Sequence, residues 1–282
     1  MKTTNAPQKK DTRASSHKAS TIFAMVAIPV EFVIALIIFF QVMGAPSNFI
    51  DSNPANQPIT GNYLGTVYKG GFIVPILMTL FMVVITFTLE RLWTLHKARG
   101  KQNPFRFVKT IKEQITNLNI EGAKKQCDMQ QGSIANVIKA GLDKYEEMDK
   151  IQGLSVEKKT LAVQKEIEDA EGMEMPMLER NLVILSTSAT IGVLLGLFGT
   201  VLGMIRAFAG LAHAGAPDAA QLATGISEAL VNTALGIATS MLAVVFYNYF
   251  TTRIDRIIYT AAEASQTILR TFSITHTEKL NN

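Results

Sequence analysis

Four stretches of the chain are apolar over about the ~20 residues that a helix needs to cross ~30 Å of hydrocarbon. They are residues 21–43, 71–89, 182–205 and 229–250. The first is interrupted by Glu31, the second and third carry no charge, and Glu228 stands just before the fourth. Between the second and third stretches the pattern changes to helical spacing of apolar positions among charges. Phe105, Val108, Ile111, Ile115 and Leu118 form one such series, and Ile134, Val137, Ile138 and Leu142 form another. Gln131, Gly132 and Ser133 divide the two. From about Ser155 to Leu178 the chain is dense in Glu, Lys, Ala and Leu, with no strong breaker before Gly172 and Pro176. This predicts a long helix running on into the third span, kinked near Pro176. The stretch after Ala45 is rich in Pro, Asn, Ser and Gly and reads as turns and irregular chain. The charge-rich tail after Phe250 is expected to prolong the fourth span.

Hydropathy therefore decides the class: an all-α integral membrane protein with four transmembrane helices and a helical inner domain. The chain has 282 residues, 48% of them hydrophobic, and a mean hydropathy of +0.21. Basic residues precede the first span, as in a signal peptide, but its apolar core is too long for one and no clean cleavage pattern follows. It is read as retained. Lys and Arg give the orientation. Sixteen of the 27 lie in residues 90–181 and five precede the first span. Four follow the fourth span, while residues 44–70 carry only Lys69 and residues 207–228 carry none. Both termini are then inside and the two short loops outside. The net charge of +4 and pI near 9.1 follow from this asymmetry and give no ground for nucleic-acid binding. The lone cysteine, Cys127, reads as a small buried apolar residue. No Gly-rich phosphate loop, nucleophile elbow or Cys/His cluster at metal-ligand spacing occurs, and the four histidines are scattered. An enzyme, a metal site or a bound cofactor is not expected.

The third span gives up side chains along one side. Gly192, Gly196, Gly199 and Gly203 recur at spacings of four, three and four. Small residues let membrane helices approach closely, and the fourth span has a matching series in Ala229, Thr233, Gly236 and Ser240. Close helix packing is the reading. Thr200 precedes Arg206 by six residues, and Thr233 follows Glu228 by five. At ~1.5 Å per residue they sit ~9 Å and ~7.5 Å below the same boundary on antiparallel helices. Each either bonds its own helix backbone or faces a polar passage. Glu228, with Asn232 one turn deeper, is either a cap in water or a functional acid at the membrane boundary. Glu31 must be protonated or paired, and a hydrogen bond to a neighbouring helix is expected. Apart from Glu31, no carboxylate lies deep in a span. Any titrating acid of a proton path would then come from another chain.

Residues 196–208, GLFGTVLGMIRAF, and 226–250, ISEALVNTALGIATSMLAVVFYNYF, resemble the signature of the ExbB/TolQ/MotA proton-channel family, most of all its ExbB branch. GSIANVIKAGLDKY, residues 132–145, and ERLWTL, residues 90–95, are similar to other parts of the same pattern. The resemblance covers roughly residues 70–255. It implies a motor of the Gram-negative inner membrane, with protons as the coupling ion. Such proteins form a homopentamer around two copies of an ExbD-like single-span partner that bears a membrane aspartate. Movement passes to a TonB-like protein that opens outer-membrane transporters. On this resemblance Thr200 and Thr233 line the proton path beside the partner's aspartate. Glu228 shapes proton access and subunit contact, and Gly192, Gly196, Gly199, Gly203 and Gly236 pack the pore wall. The implied layout is a cytoplasmic tail 1–20, an extra span 21–43, a periplasmic loop 44–70 and a span 71–89. A cytoplasmic helical domain 90–181, a pore helix 182–205 and a periplasmic loop 206–228 follow. A second pore helix 229–250 and a cytoplasmic C-terminal helix and tail 251–282 complete it. Two features depart from the usual pattern. Val193 stands where many relatives have proline, and the extra first span resembles a Bacteroidota-type variant that packs outside the pentamer. The same family also includes Tol-type and motility motors, and a non-conducting membrane scaffold would use the same packing residues.

Overall fold

The computed structural model describes residues 12–213 and 219–281, with side chains for residues 23, 25–209 and 220–277. Most of the tail 1–20 and the centre of the loop 206–228 lie outside the described residues or side chains. Nine α-helices are described: α1 Thr12–Ile37, α2 Tyr63–Tyr68, α3 Ile73–Ala98, α4 Pro104–Thr116, α5 Ile120–Gln130, α6 Ser133–Lys150, α7 Val156–Glu179, α8 Leu182–His213 and α9 Ala219–Asn281. A single antiparallel bridge, Phe49 to Pro58, is the one extended pairing among the described residues. Four helical segments are long and apolar enough to cross a membrane. They lie within Met25–Met43, Ile73–Ala98, Val156–Ala209 and Ala220–Thr277.

The chain forms two compact units. The first comprises the chain up to Thr86 together with Thr187–Ala243. Here α1 passes into a π-helical turn, Ile38–Met43, and among the described side chains of the two only a narrow stripe, Glu31, Ala35 and Phe39, at spacings of four, is buried. Glu31 of α1 is 7% exposed, and Thr86 of α3 is its polar neighbour. Oε2 of Glu31 is buried without a hydrogen-bond partner. The turn-rich stretch after Ala45 is more ordered than its composition suggests. Two 3₁₀ turns, Pro46–Asn48 and Ile50–Ser52, lead to α2, which composition alone does not predict. The Asn62 side chain caps α2 by accepting from the Gly65 N–H at 3.1 Å, and it also donates to Asn48 at 3.0 Å.

The second unit comprises Phe87–Ser186 and the chain from Val244 onward. Asn103 caps α4 with Pro104 at the first helical position, Asn119 caps α5, and Ser155 caps α7. Its core takes Phe107, Ile111 and Ile115 from α4, Ile134, Ile138 and Leu142 from α6, Val163 and Ile167 from α7, and Ile254, Ile268 and Phe272 from α9. Three expectations need correction. Phe105 and Leu118 are exposed, at 56% and 53%, and Phe107 takes the core place instead. Leu118 lies beyond the helix at a φ of 55°, where the chain turns. The two helical patterns are separated by α5, a short polar helix that buries only Ala123, Cys127 and Gln130 and so carries little periodic signal. Finally, the long helix breaks at Arg180–Asn181, and Pro176 is accommodated inside α7. Asn181 adopts a φ of 63°, a conformation that asparagine tolerates better than most residues. The break is held from α3. Arg91, 2% exposed, donates to the Leu178 carbonyl at 3.3 Å, and Asn181 donates to the Glu90 carboxylate at 3.4 Å. The guanidinium thereby satisfies one of the carbonyls orphaned at a helix C-terminus.

Candidate functional site: a glycine-packed helix pair with facing threonines

In the first unit, α8 lies against α9 along the glycine series. A Cβ on Gly192 would stand 3.0 Å from the Gly236 carbonyl oxygen, and one on Gly196 would stand 3.2 Å from the Asn232 carbonyl. On Gly199 it would meet Asn232 Cβ at 2.5 Å, and on Gly203 the Ala229 nitrogen at 2.8 Å. From the opposite side, a Cβ on Gly236 would lie 2.8 Å from Gly196 Cα. Gly192, Gly196, Gly203 and Gly236 thus sit where backbone approaches backbone, the geometry that small residues permit between membrane helices, and Gly199 makes room for the Asn232 side chain. Ser240, of the matching small series on α9, donates its hydroxyl to the Ala189 carbonyl across the same seam. α8 is one uninterrupted helix through Val193.

This close approach brings Thr200 and Thr233 together. Their hydroxyl oxygens are in hydrogen-bond contact. Thr200 also lies 3.1 Å from the Gly196 carbonyl of its own helix. Thr233 lies 3.1 Å from its own Ala229 carbonyl and 3.3 Å from Gly196 across the seam. Each hydroxyl is thus within reach of its own helix backbone, and the two hydroxyls also meet each other. Each hydroxyl has one proton and two lone pairs. If Thr233 donates to Ala229 and Thr200 donates to Thr233, lone pairs remain free to accept a hydrogen bond from outside. Rotation about either Cβ–Oγ bond changes which hydroxyl donates. Both side chains are half-buried.

Next to Thr233 in the chain, Asn232 is fully buried at 0% exposure and donates to the Gly70 carbonyl at 3.0 Å. Its Oδ1 is buried without a hydrogen-bond partner. Further out, Glu228 is 5% exposed and forms an ion pair with Arg206. Gly71, at the approach to α3 with a φ of 73°, packs on this pair. A Cβ there would meet Glu228 Oε1 at 2.6 Å and Arg206 Nη1 at 3.0 Å. Sequence reasoning missed the partnership of Arg206 and Glu228. The available signal was positional: Arg206 is an isolated cation at the loop end of one span, opposite the acid that opens the next. The part played by Gly70 and Gly71 left no such trace, because glycines in a turn-rich stretch have many uses.

Comparison with known proteins places the sequence of these helices in context. Residues 129–263 match the MotA/TolQ/ExbB proton channel family. Over 139 residues the chain is 32% identical to the Tol-Pal system protein TolQ of Pseudomonas aeruginosa, a stretch covering 48% of this chain and 60% of that one. It is 25% identical over 203 residues to the Tol-Pal system protein TolQ of Haemophilus influenzae, covering 70% and 87%. It is 38% identical over 85 residues to the biopolymer transport protein ExbB of Salmonella typhimurium, covering 30% and 35%. The chain thus spans less than two thirds of the first and third of these relatives. With both long motifs and the threonine pair inside the matched stretch, residues 129–263 are a domain of the MotA/TolQ/ExbB proton channel family.

Proposed function

We propose that this chain is the channel-forming subunit of a proton-driven motor in the bacterial inner membrane. In this reading it forms a homopentamer around an ExbD-like single-span partner, and its output drives TonB-dependent outer-membrane import. Both termini and residues 90–181 face the cytoplasm, and the loops 44–70 and 206–228 face the periplasm. α8 and α9 line the pore, and α1 packs on its outer side. The observation that carries the reading is the Thr200–Thr233 contact with unused lone pairs on the glycine-packed seam. Those lone pairs suit a carboxylic acid that gains and loses a proton, and apart from Glu31 the spans of this chain hold no deep acid. The partner's aspartate supplies it. Glu228, paired with Arg206 at the outer end, shapes the entry of protons to that point.

A Tol-type output is the second reading. It is supported by relatives named TolQ, one of them 32% identical over 139 residues, which stand beside those named ExbB.

The test is proton flux in vesicles carrying the chain with its co-expressed single-span neighbour. Replacing Thr200 and Thr233 together by valine keeps shape and removes both hydroxyls. A hydrogen bond to a charged group is worth ~1.5–3 kcal/mol, so flux should fall on the order of tenfold to a hundredfold while the complex still assembles. Unchanged flux and unchanged import in the double variant would make this chain a scaffold. Rescue of import against rescue of envelope integrity in deletion strains separates the TonB from the Tol output.

A further inference from the structure

The second unit holds a cavity of about 330 Å³ that the helix pair above does not use. It is built by the C-terminal turns of α3, the start of α4 and the part of α9 just beyond Phe250. Arg99, Arg253 and Arg256 all line it, with His96 beside them, and no described carboxylate does. None of the three arginines is in an ion pair among the described residues, although Arg253 lies over the Tyr249 ring, 5.2 Å from its centre. The lining also includes the apolar side chains of Leu92, Leu95 and Phe250, with the Tyr249 ring beneath Arg253. Three unpaired guanidinium groups converging on one cavity repel one another, and an anion relieves that repulsion.

Position identifies the anion. Phe250 is the last residue of the apolar run on α9, and Arg253 and Arg256 follow it by three and six residues, or ~4.5 and ~9 Å along the axis. That is the depth of lipid headgroups. In an α-helix the Cα–Cβ bonds tilt toward the N-terminus, and both α3 and α9 enter the cavity from their apolar, N-terminal sides. Arg253 and Arg256 can therefore lay their aliphatic stems along apolar surface while their charged heads stay at the interface, as long basic side chains do. Trp93, 71% exposed on the same stretch of α3, is an interfacial anchor. Arginine forks suit phosphate oxygens, and basic pockets between membrane helices on the cytoplasmic side recognise acidic lipid headgroups.

We infer that the cavity bounded by Arg99, Arg253 and Arg256 is a binding site for an anionic glycerophospholipid, its phosphate on the arginines and the start of its acyl chains along Leu92, Tyr249 and Phe250. The inference needs the chain to be in a membrane but does not depend on its being a motor, so loss of flux and loss of lipid binding fail separately. The assay is native mass spectrometry of the full chain in its complex, delipidated and then titrated with phosphatidylglycerol or with phosphatidylcholine of the same acyl chains. Expected is retention of phosphatidylglycerol by the wild type in preference to phosphatidylcholine. The variant R99Q/R253Q/R256Q should lose that preference by at least about tenfold, given the contribution of each basic residue at an anionic surface. Circular dichroism and subunit stoichiometry serve as controls of its fold. If the triple variant fails to assemble, wild-type selectivity together with the position of a photo-crosslink from a phosphatidylglycerol probe decides. Adducts on Leu92–Arg99 or Tyr249–Thr260 support the site, and adducts elsewhere overturn it. Equal retention of the two lipids overturns it as well, as does displacement of phosphatidylglycerol by millimolar inorganic phosphate, which marks a site for free anions.

Discussion

At the scale of single residues, the pair Arg206 and Glu228 is asymmetric in a way that has consequences. Glu228 is enclosed by Gly71 and its helix, while the Arg206 side chain is 57% exposed. Removing the arginine strands a carboxylate in an enclosed place, whereas removing the glutamate lets the guanidinium return to water. Arg206→Ala should therefore destabilise more than Glu228→Ala, by ~1–3 kcal/mol after allowance for the solvent on the arginine side. The double variant should recover part of the loss. Thermal unfolding of the three variants in one detergent checks the order. Cys127 offers a second residue-level prediction. Burial pushes its thiol up to about 12 from an ordinary 9.0. At pH 8 only about one in ten thousand folded molecules then carries a thiolate, so alkylation should be far slower than in the unfolded chain. A raised thiol pKa in the folded state means that deprotonation favours unfolding. The stabilisation from a neutral buried thiol is present below pH 9 and lost as pH rises from 9 toward 12. Cys127→Ala should flatten that alkaline limb.

At the scale of elements, the seam between α8 and α9 and the body of α7 treat glycine in opposite ways. A methyl group on Gly236 would meet Gly196 Cα at 2.8 Å and press on the Gly192 carbonyl, whereas one on Gly172 has nothing within 4 Å. Gly236→Ala should cost ~1–3 kcal/mol through overpacking. Gly172→Ala should gain up to ~1 kcal/mol through helix propensity. Opposite shifts in unfolding temperature are the expected readout, with loss of oligomer only in the first. The small-residue stripe is legible in the sequence itself, because close approach of two membrane helices leaves periodic glycine behind. The break between α7 and α8 is not legible at its true place. Proline attracts attention as a breaker, yet the stop is made by Asn181 and by Arg91 and Glu90 from a helix about ninety residues earlier. A polar residue that ends a helix through a distant partner has no local signature. α2 and α5 escape a sequence reading because each is short and held by an asparagine cap with few buried apolar positions.

At the scale of the whole molecule, the prediction concerns sidedness. In a Cys127→Ala background, cysteine introduced at Ser47 should react with a membrane-impermeant maleimide in intact spheroplasts. Cysteine introduced at Lys158 should react only after permeabilisation. Both positions are exposed, so burial does not confuse the comparison. The reverse pattern would place residues 90–181 outside and would remove the proposed proton path from its orientation.

Hydropathy needs no partner to be read. A segment either holds enough apolar residues to replace water with lipid along its length or it does not, and four segments do. Helix class, span number, charge asymmetry and the packing stripe are all properties of consecutive residues. The Thr200–Thr233 contact is approachable by counting depth from the span ends, since helical rise is uniform. Folding alone joined Arg206 to Glu228, Asn232 to Gly70, Arg91 to the end of α7, and three arginines around one cavity. Those partners are far apart in sequence. Which side chains face one another depends on helix rotation and on the approach distance that the glycines set, and neither is encoded at any single position.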